Sequence, residues 1–132
     1  MNNQDLLKRY VELCNNNLKA NKSIQLLLNE LGITESFLID NFNLGFPNGS
    51  LIESIGNNKE MLDKFKDLGL IKNNKEVFKN HLVIPIYNED KSIENITFYN
   101  LSPNSDKSFT SLNDKGIFNK PFLINTKEII LK

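Results

Sequence analysis

Apolar residues in the first third of the chain recur every three or four positions, which is the spacing of an amphipathic helix. The pattern predicts a first helix over Asp5–Asn15, ended by the asparagine run at 15–17. Ser23 is a suitable N-cap for a second helix, and Thr34 for a short third one. The apolar faces of these helices consist of Leu6, Leu7, Tyr10, Leu13 and Cys14, then Ile24, Leu27, Leu28 and Leu31, then Phe37, Leu38 and Phe42.

The next stretch alternates turn-forming and helical sequence. Residues 43–49 combine glycine, proline and asparagine, which predicts a turn with a short strand at Leu44 and Phe46. Two further helices are predicted after this turn. They run from Ser50 through Ile55 and along the stripe Met61, Phe65 and Leu68, with a break at Gly56-Asn57-Asn58 and with Gly69 past the end.

The pattern changes to strands after Leu70. Leu82–Tyr87 is a short apolar run, and Ile93–Leu101 is rich in β-branched and aromatic residues. The turn sequence at 89–91 between them predicts an antiparallel hairpin. Pro85 has no amide hydrogen, so we expect it at a sheet edge or beside a bulge. Phe109–Leu112 is a candidate third strand, followed by a turn at 113–116 and by Thr126, which would cap a terminal helix or lead into another strand.

Helices first and strands afterwards, without regular alternation, predict an α+β fold with the helices gathered at one side of a small, mainly antiparallel sheet. We expect a single domain over residues 1–132, mainly helical over 1–69 and mainly strands over 70–125. The core is expected to include Phe65, Phe78, Val83, Ile84, Ile86, Ile96 and Phe98.

Composition narrows the possible functions only a little. Sixteen basic and sixteen acidic residues give a formal net charge of zero, so any attraction to nucleic acid must be local. Cys14 is the single cysteine, which excludes an intramolecular disulfide and a multi-cysteine zinc site. Without a signal-like segment or an apolar run approaching the ~20 residues of a membrane helix, we expect a cytoplasmic protein that does not contact the membrane.

Few residues suggest catalysis. His81, the one histidine, has three interpretations: local packing or hydrogen bonding at a strand edge, a cationic contact to phosphate, or a metal or general-base role. Cys14 is more consistent with a small buried hydrophobe than with a nucleophile. The neighbouring Glu89 and Asp90 are more consistent with a solvated turn than with Mg²⁺ binding. No catalytic residue and no metal ligand is assigned.

A set of basic and aromatic residues in the second half is compatible with single-stranded nucleic acid, which binds cationic grooves that carry stacking platforms. The candidate binding residues are Lys79, His81, Tyr99, Lys107 and Lys120, with Phe109 as a further aromatic group. An exposed Tyr99 ring could stack on a base, a contact worth about 1–3 kcal/mol. The alternative is that Tyr99 packs within the sheet.

Five short motifs, in order, resemble the N-terminal subdomain of the bacterial DNA primase catalytic core. The resemblance covers residues 18–120 and rests on Leu31-Gly32-Ile33-Thr34, Phe42-Asn43-Leu44-Gly45-Phe46, Gly69-Leu70, Phe78-Lys79-Asn80-His81-Leu82-Val83-Ile84-Pro85-Ile86, and the segment with Phe109, Ile117, Phe118 and Lys120. In that family, arginines stand at the positions of Lys79, His81 and Tyr99, where they help to hold template and the RNA–DNA duplex. Lys79 keeps the charge without the bidentate geometry of arginine, and Tyr99 loses it.

The resemblance implies a fold, partners and a missing catalytic module. The family's zinc ribbon needs cysteines and histidines that this chain lacks, and its Mg²⁺-binding TOPRIM module would begin where the chain stops. No cofactor is therefore expected in this chain. Expected partners are single-stranded DNA or an RNA–DNA duplex, bound weakly, and a TOPRIM domain of the same or another chain, with the replicative helicase as a further candidate. The degenerate motifs suggest a primase of a plasmid, phage or transposon.

Two hypotheses of function remain open from the sequence. In the first, the chain is a non-catalytic part of a DNA primase that contributes to the groove for template and RNA–DNA duplex during primer synthesis. In the second, it is a protein-interaction or regulatory module that keeps the primase-like fold but has lost nucleic-acid binding.

Overall fold

The computed structural model describes residues 2–30, 42–102 and 109–112. In this part of the chain the fold is α+β, with helices first and antiparallel strands after them, as predicted. The helices are α1 Asn3–Lys19, α2 Lys22–Glu30, α3 Ser50–Ile55 and α4 Lys59–Asp67. The strands are β1 Ile71–Lys72, β2 Lys75–Glu76, β3 His81–Tyr87, β4 Ile93–Asn100 and β5 Phe109–Ser111.

Helix α1 is longer than predicted, because the asparagine run does not end it. Its start is fixed by a capping box, in which the Asn2 side chain accepts a hydrogen bond from the Asp5 backbone N–H at 2.9 Å. Asn15 donates its side-chain amide to the Leu44 carbonyl at 2.7 Å, and Asn17 donates to the side chain of Asn48 at 3.0 Å. Since these amides bond to a distant segment and not to their own backbone, they do not compete with the helix. The predicted end at residues 15–17 was therefore wrong.

Two residues, Ala20 and Asn21, separate helix α2 from the end of α1. The Asn21 side chain accepts from the Ile24 backbone N–H at 3.1 Å, so Asn21 and not Ser23 supplies the cap. The predicted third helix after Thr34 lies outside the described residues, except for Phe42, which packs against the core.

The turn segment 43–49 places a short extended stretch beside β3. Gly45 and Val83 exchange two backbone hydrogen bonds of 3.0 and 2.8 Å. A Cβ on Gly45 would lie 2.5 Å from the Cβ of Cys14 and 2.7 Å from its backbone carbon. Only glycine therefore allows this stretch to pass between β3 and α1.

The two predicted helices after Ser50 are confirmed. Gly56 ends α3, and the Asn58 side chain caps α4 by accepting from the Met61 backbone N–H at 3.0 Å. Gly69 follows α4 with a φ of +87°, a conformation that glycine adopts without strain.

A small hairpin that the sequence analysis did not predict connects α4 to the sheet. β1 and β2 pair antiparallel through Ile71↔Glu76 and Lys72↔Lys75. Asn73 and Asn74 form the turn with φ of +54° and +60°. Two consecutive positive φ values are the geometry of a type I′ turn, which asparagine tolerates better than most residues.

The main sheet has the order β3-β4-β5, and the predicted hairpin is confirmed. Leu82 pairs with Tyr99, and the register shifts at a bulge between Ile86 and Tyr87. The Val83 N–H points away from β4 and donates to the Gly45 carbonyl. Pro85 is two residues further along β3, so its nitrogen, which carries no hydrogen, also points away from β4. This edge position next to a bulge is where proline was expected.

Both faces of the sheet are buried, and the helices are therefore not confined to one side of it. The first cluster packs α1, α3 and α4 against one face, and the second packs the ends of α1 and α2 against the other. The first includes Leu6, Tyr10, Cys14, Leu51, Phe65, Val83, Ile96 and Phe98; the second includes Leu18, Leu28, Leu44, Phe46, Leu82, Ile84, Tyr99 and Leu101. Of the predicted core residues, Phe78 is partly buried and the other six are at most 1% exposed.

Candidate nucleic-acid interface

Two of the candidate binding residues, Lys79 and His81, lie together where the chain enters β3. Asn80 between them has a φ of +64°, and its carbonyl accepts from the Leu101 backbone N–H at 2.9 Å. This contact holds the turn against the end of β4, where His81 pairs with Asn100. The backbone therefore presents both side chains from one fixed turn.

His81 makes the local hydrogen bond that one of its interpretations predicted. Its Nδ1 donates to the Lys79 carbonyl at 2.9 Å, because the carbonyl oxygen can only accept. The ring also meets the Phe78 ring edge-on, with centroids 5.6 Å apart, and Phe78 in turn stacks on Phe98 at 3.6 Å. With Nδ1 engaged, a phosphate contact by His81 would have to use Nε2, and that contact stays a prediction.

Lys79 is exposed but has a carboxylate close to it. The Lys79 side chain runs along the backbone of Gly49, close to the Glu76 carboxylate. If Gly49 carried a Cβ atom, that atom would lie 3.7 Å from Lys79 Cε and 3.8 Å from Glu76 Oε2. Glu76 Oε2 accepts from the Leu51 backbone N–H at 3.4 Å, at the start of α3. The ammonium group of Lys79 therefore sits beside a helix start that already carries a negative charge.

Burial raises the pKa of Glu76 above its usual value. The hydrogen bonds from the backbone of Leu51 and Gly49, and the nearby charge of Lys79, lower the pKa but do not outweigh burial. Glu76 is 7% exposed. It is a neighbour of Lys79 that the sequence analysis missed, because nothing in the local sequence says which way its side chain points.

Tyr99 packs within the sheet, which was the alternative to base stacking. It is 3% exposed and belongs to the second cluster. The Phe109 ring covers it at a centroid distance of 4.9 Å. In this arrangement its ring face is not exposed to a base. Lys107 and Lys120, the remaining candidates, lie outside the described residues.

The residues considered as a nucleophile or as metal ligands, Cys14 and Asp90, lie in surroundings that suit a structural role. Cys14 is fully buried, as expected of a small hydrophobe, and burial strongly raises the pKa of its thiol. Asp90 accepts from the Ser92 backbone N–H at 3.0 Å within the β3–β4 turn, and hydrogen bonds from Ser92 lower the pKa of Asp90. Among residues 2–30, 42–102 and 109–112, no group of three or more His, Cys, Asp or Glu could hold a metal ion.

The small hairpin β1–β2 carries two exposed lysines, Lys72 and Lys75, that the sequence analysis did not single out. The signal for them was the pair Asn73-Asn74, which favours a tight hairpin turn and would have predicted Lys72 opposite Lys75. Over the described part of the chain, no helix is both long enough and apolar enough to cross a membrane.

Comparison with models of protein families gives no match, and comparison with curated proteins gives none either. Solved structures do match. A DnaG primase catalytic domain bound to single-stranded DNA has a TM-score of 0.71 at 20% identity, over 89% of this chain and 39% of that one. The E. coli primase catalytic core has a TM-score of 0.70 at 19% identity, over 89% and 40%. A DNA primase domain from Pseudomonas aeruginosa has a TM-score of 0.68 at 23% identity, over 88% and 39%.

This chain spans about two fifths of the length of each of these three solved structures. At 19 to 23% identity, the likeness to these structures is one of fold. The chain therefore shares its fold with part of the catalytic core of bacterial DnaG primases.

Proposed function

We propose that this chain is the non-catalytic N-terminal portion of a DNA primase-like protein and contributes to the groove that holds template and the RNA–DNA duplex during primer synthesis. The observation that carries the proposal is the fold shared with DnaG catalytic cores, over 89% of the chain, including a DnaG domain bound to single-stranded DNA. The fold alone does not assign binding, so the proposal also needs exposed cations on the molecule.

The turn before β3 supplies such cations. Lys79 is exposed and His81 half-buried, and both stand where the resembled family carries basic residues. Because Glu76 lies beside Lys79, the local positive charge is partly offset. Weak, salt-sensitive binding is the expected consequence in a chain with no net charge.

The remaining parts of a primase would come from outside this chain. We propose that a TOPRIM domain, in the same or another chain, supplies the carboxylates that bind Mg²⁺. A replicative helicase is a further proposed partner, and a plasmid, phage or transposon the proposed source. The degenerate motifs of the sequence support an origin in a mobile element.

The test is fluorescence anisotropy with a labelled DNA single strand at low salt, repeated over a range of salt concentrations. With three or four phosphate contacts, the slope of log K against log salt should be on the order of −2 to −3. Lys79→Ala should make the slope about 0.7 shallower, because one contact is lost. Lys79→Arg, which keeps the charge, should bind like the native chain.

A matched control removes a lysine elsewhere. Lys66 is exposed on α4, so Lys66→Ala changes the net charge equally without touching the turn before β3. Equal effects of Lys79→Ala and Lys66→Ala would argue against a groove at Lys79. No binding at high protein concentration would overturn the proposal and leave an interaction module.

A further inference from the structure

The exposed charges between Ile71 and His81 are all of one sign. Lys72, Lys75 and Lys79 are exposed, whereas Glu76, the one acidic residue in this stretch, is buried. In a chain with equal numbers of acidic and basic residues, this is a local separation of charge. The hairpin produces it, because neighbouring strand residues face opposite sides.

Lys72 and Lys75 are directly opposite each other across the hairpin. Side chains in this position have Cβ atoms about 4.5–5.5 Å apart, and like charges so placed repel each other. Neither lysine forms an ion pair with a described residue. The repulsion is thus not relieved within the described part of the molecule, although an anion placed between the two ammonium groups would relieve it.

The hairpin is held firmly enough to present this pair. Leu70 and Ile71 are buried in the first cluster, and the Val77 backbone N–H donates to the Leu70 carbonyl at 3.1 Å. On the inner side, Glu76 bonds the start of α3. The two asparagines of the turn leave no long flexible loop between the lysines.

The inward side of the hairpin leads to the candidate interface. Glu76 directly follows Lys75, and its carboxylate reaches the backbone at Gly49, over which the Lys79 side chain runs. Lys75 faces the opposite side of the strand from Glu76, so Lys72 and Lys75 form a cationic surface of their own, in addition to the turn that carries Lys79 and His81.

We propose that the β1–β2 hairpin is a second phosphate-binding element, in which Lys72 and Lys75 contact the backbone of a nucleic-acid single strand. This inference rests on the proposed function and deepens it by extending the interface to a segment outside the predicted site. The recognised group is the phosphodiester, so the contact is independent of base sequence.

The test compares salt dependence of anisotropy for a labelled DNA single strand. Removing two phosphate contacts in Lys72→Ala/Lys75→Ala should make the slope of log K against log salt shallower by about 1.4. Between 50 and 200 mM salt, the variant should then lose roughly sevenfold less affinity than the native chain. Lys72→Arg/Lys75→Arg should keep the native slope, because phosphate accepts from either cation.

The matched control is Lys59→Ala/Lys66→Ala, which removes the same charge from exposed positions on α4. Circular dichroism checks that every variant is folded. If the hairpin and control variants change the slope equally, the hairpin inference is overturned while the proposed function stands. If the native chain does not bind at all, both are overturned.

Discussion

Glu76 shows how a single buried carboxylate can organise its surroundings. Its carboxylate accepts hydrogen bonds from the backbone N–H groups of Gly49 and Leu51 at the start of α3, where a negative charge is favourable, and it lies beside Lys79. Burial nevertheless outweighs these contacts and raises the pKa of Glu76. The ionised form is thus less well accommodated in the folded chain than in the unfolded one.

We predict that this residue makes folding stability depend on pH. A carboxyl with a raised pKa keeps its proton more tightly in the folded state, so its contribution to stability is full below the unfolded pKa and is lost as pH rises through the folded pKa. Glu76→Gln keeps an oxygen that can accept from Leu51 but cannot ionise. At pH 7 it should therefore unfold at a higher urea concentration than the native chain, and the difference should shrink below pH 4.5, the usual value for glutamate.

The measurement is urea unfolding at a series of pH values between 3.5 and about 8, a range that brackets the carboxyl titration. Glu94→Gln is the control, because Glu94 is an exposed glutamate on β4. A difference between native and Glu76→Gln chains that does not vary with pH would contradict the prediction.

At the scale of elements, helix α1 shows how tertiary contacts override a local stop signal. Three consecutive asparagines at 15–17 would usually favour a helix end. Here Asn15 is buried and donates to the Leu44 carbonyl, which belongs to the stretch that passes between α1 and β3. The helix and the stretch thus stabilise each other.

We predict opposite effects for two neighbouring asparagines. Asn15→Ala leaves the buried Leu44 carbonyl without this partner and should lower the free energy of unfolding by about 1–3 kcal/mol. Asn16 is exposed on the same helix, so Asn16→Ala should leave stability unchanged or raise it by up to about 0.7 kcal/mol, since alanine is the better helix former. Urea unfolding of both variants measures this, and equal destabilisation would show that the Asn15 contact contributes nothing specific.

At the scale of the whole molecule, the three-stranded sheet is buried on both faces, and three lysines are exposed on the separate small hairpin and the turn before β3, namely Lys72, Lys75 and Lys79. The chain corresponds to about two fifths of the primase cores that share its fold. Two-metal phosphoryl transfer needs carboxylates that hold ions about 3.5–4 Å apart. Within the described residues, no group of three or more His, Cys, Asp or Glu side chains could hold even one metal ion.

We therefore predict that the isolated chain synthesises no primer. The assay supplies single-stranded template, ribonucleoside triphosphates and Mg²⁺, with a complete bacterial primase as the positive control. Binding of template without synthesis is the expected result. Primer formation above background by the purified chain would contradict it.

The sequence by itself determined those features that depend on neighbours along the chain. The apolar stripe through Phe65 predicted α4, and the two β-rich runs around a turn predicted the β3–β4 hairpin and its α+β setting. Even the position of Pro85 followed from its missing N–H. Periodicity and turn chemistry are local properties, so they can be read directly from the order of residues.

Tertiary structure decided what each polar side chain faces. The sequence could not show that Asn15 bonds a carbonyl 29 residues away, that Tyr99 is covered by Phe109, or that both faces of the sheet are buried. It also did not separate Glu76, turned inward, from Lys72 and Lys75, turned outward. Burial and hydrogen bonding at these positions depend on segments that meet only when the chain folds, because the partner groups are distant in sequence and near in space.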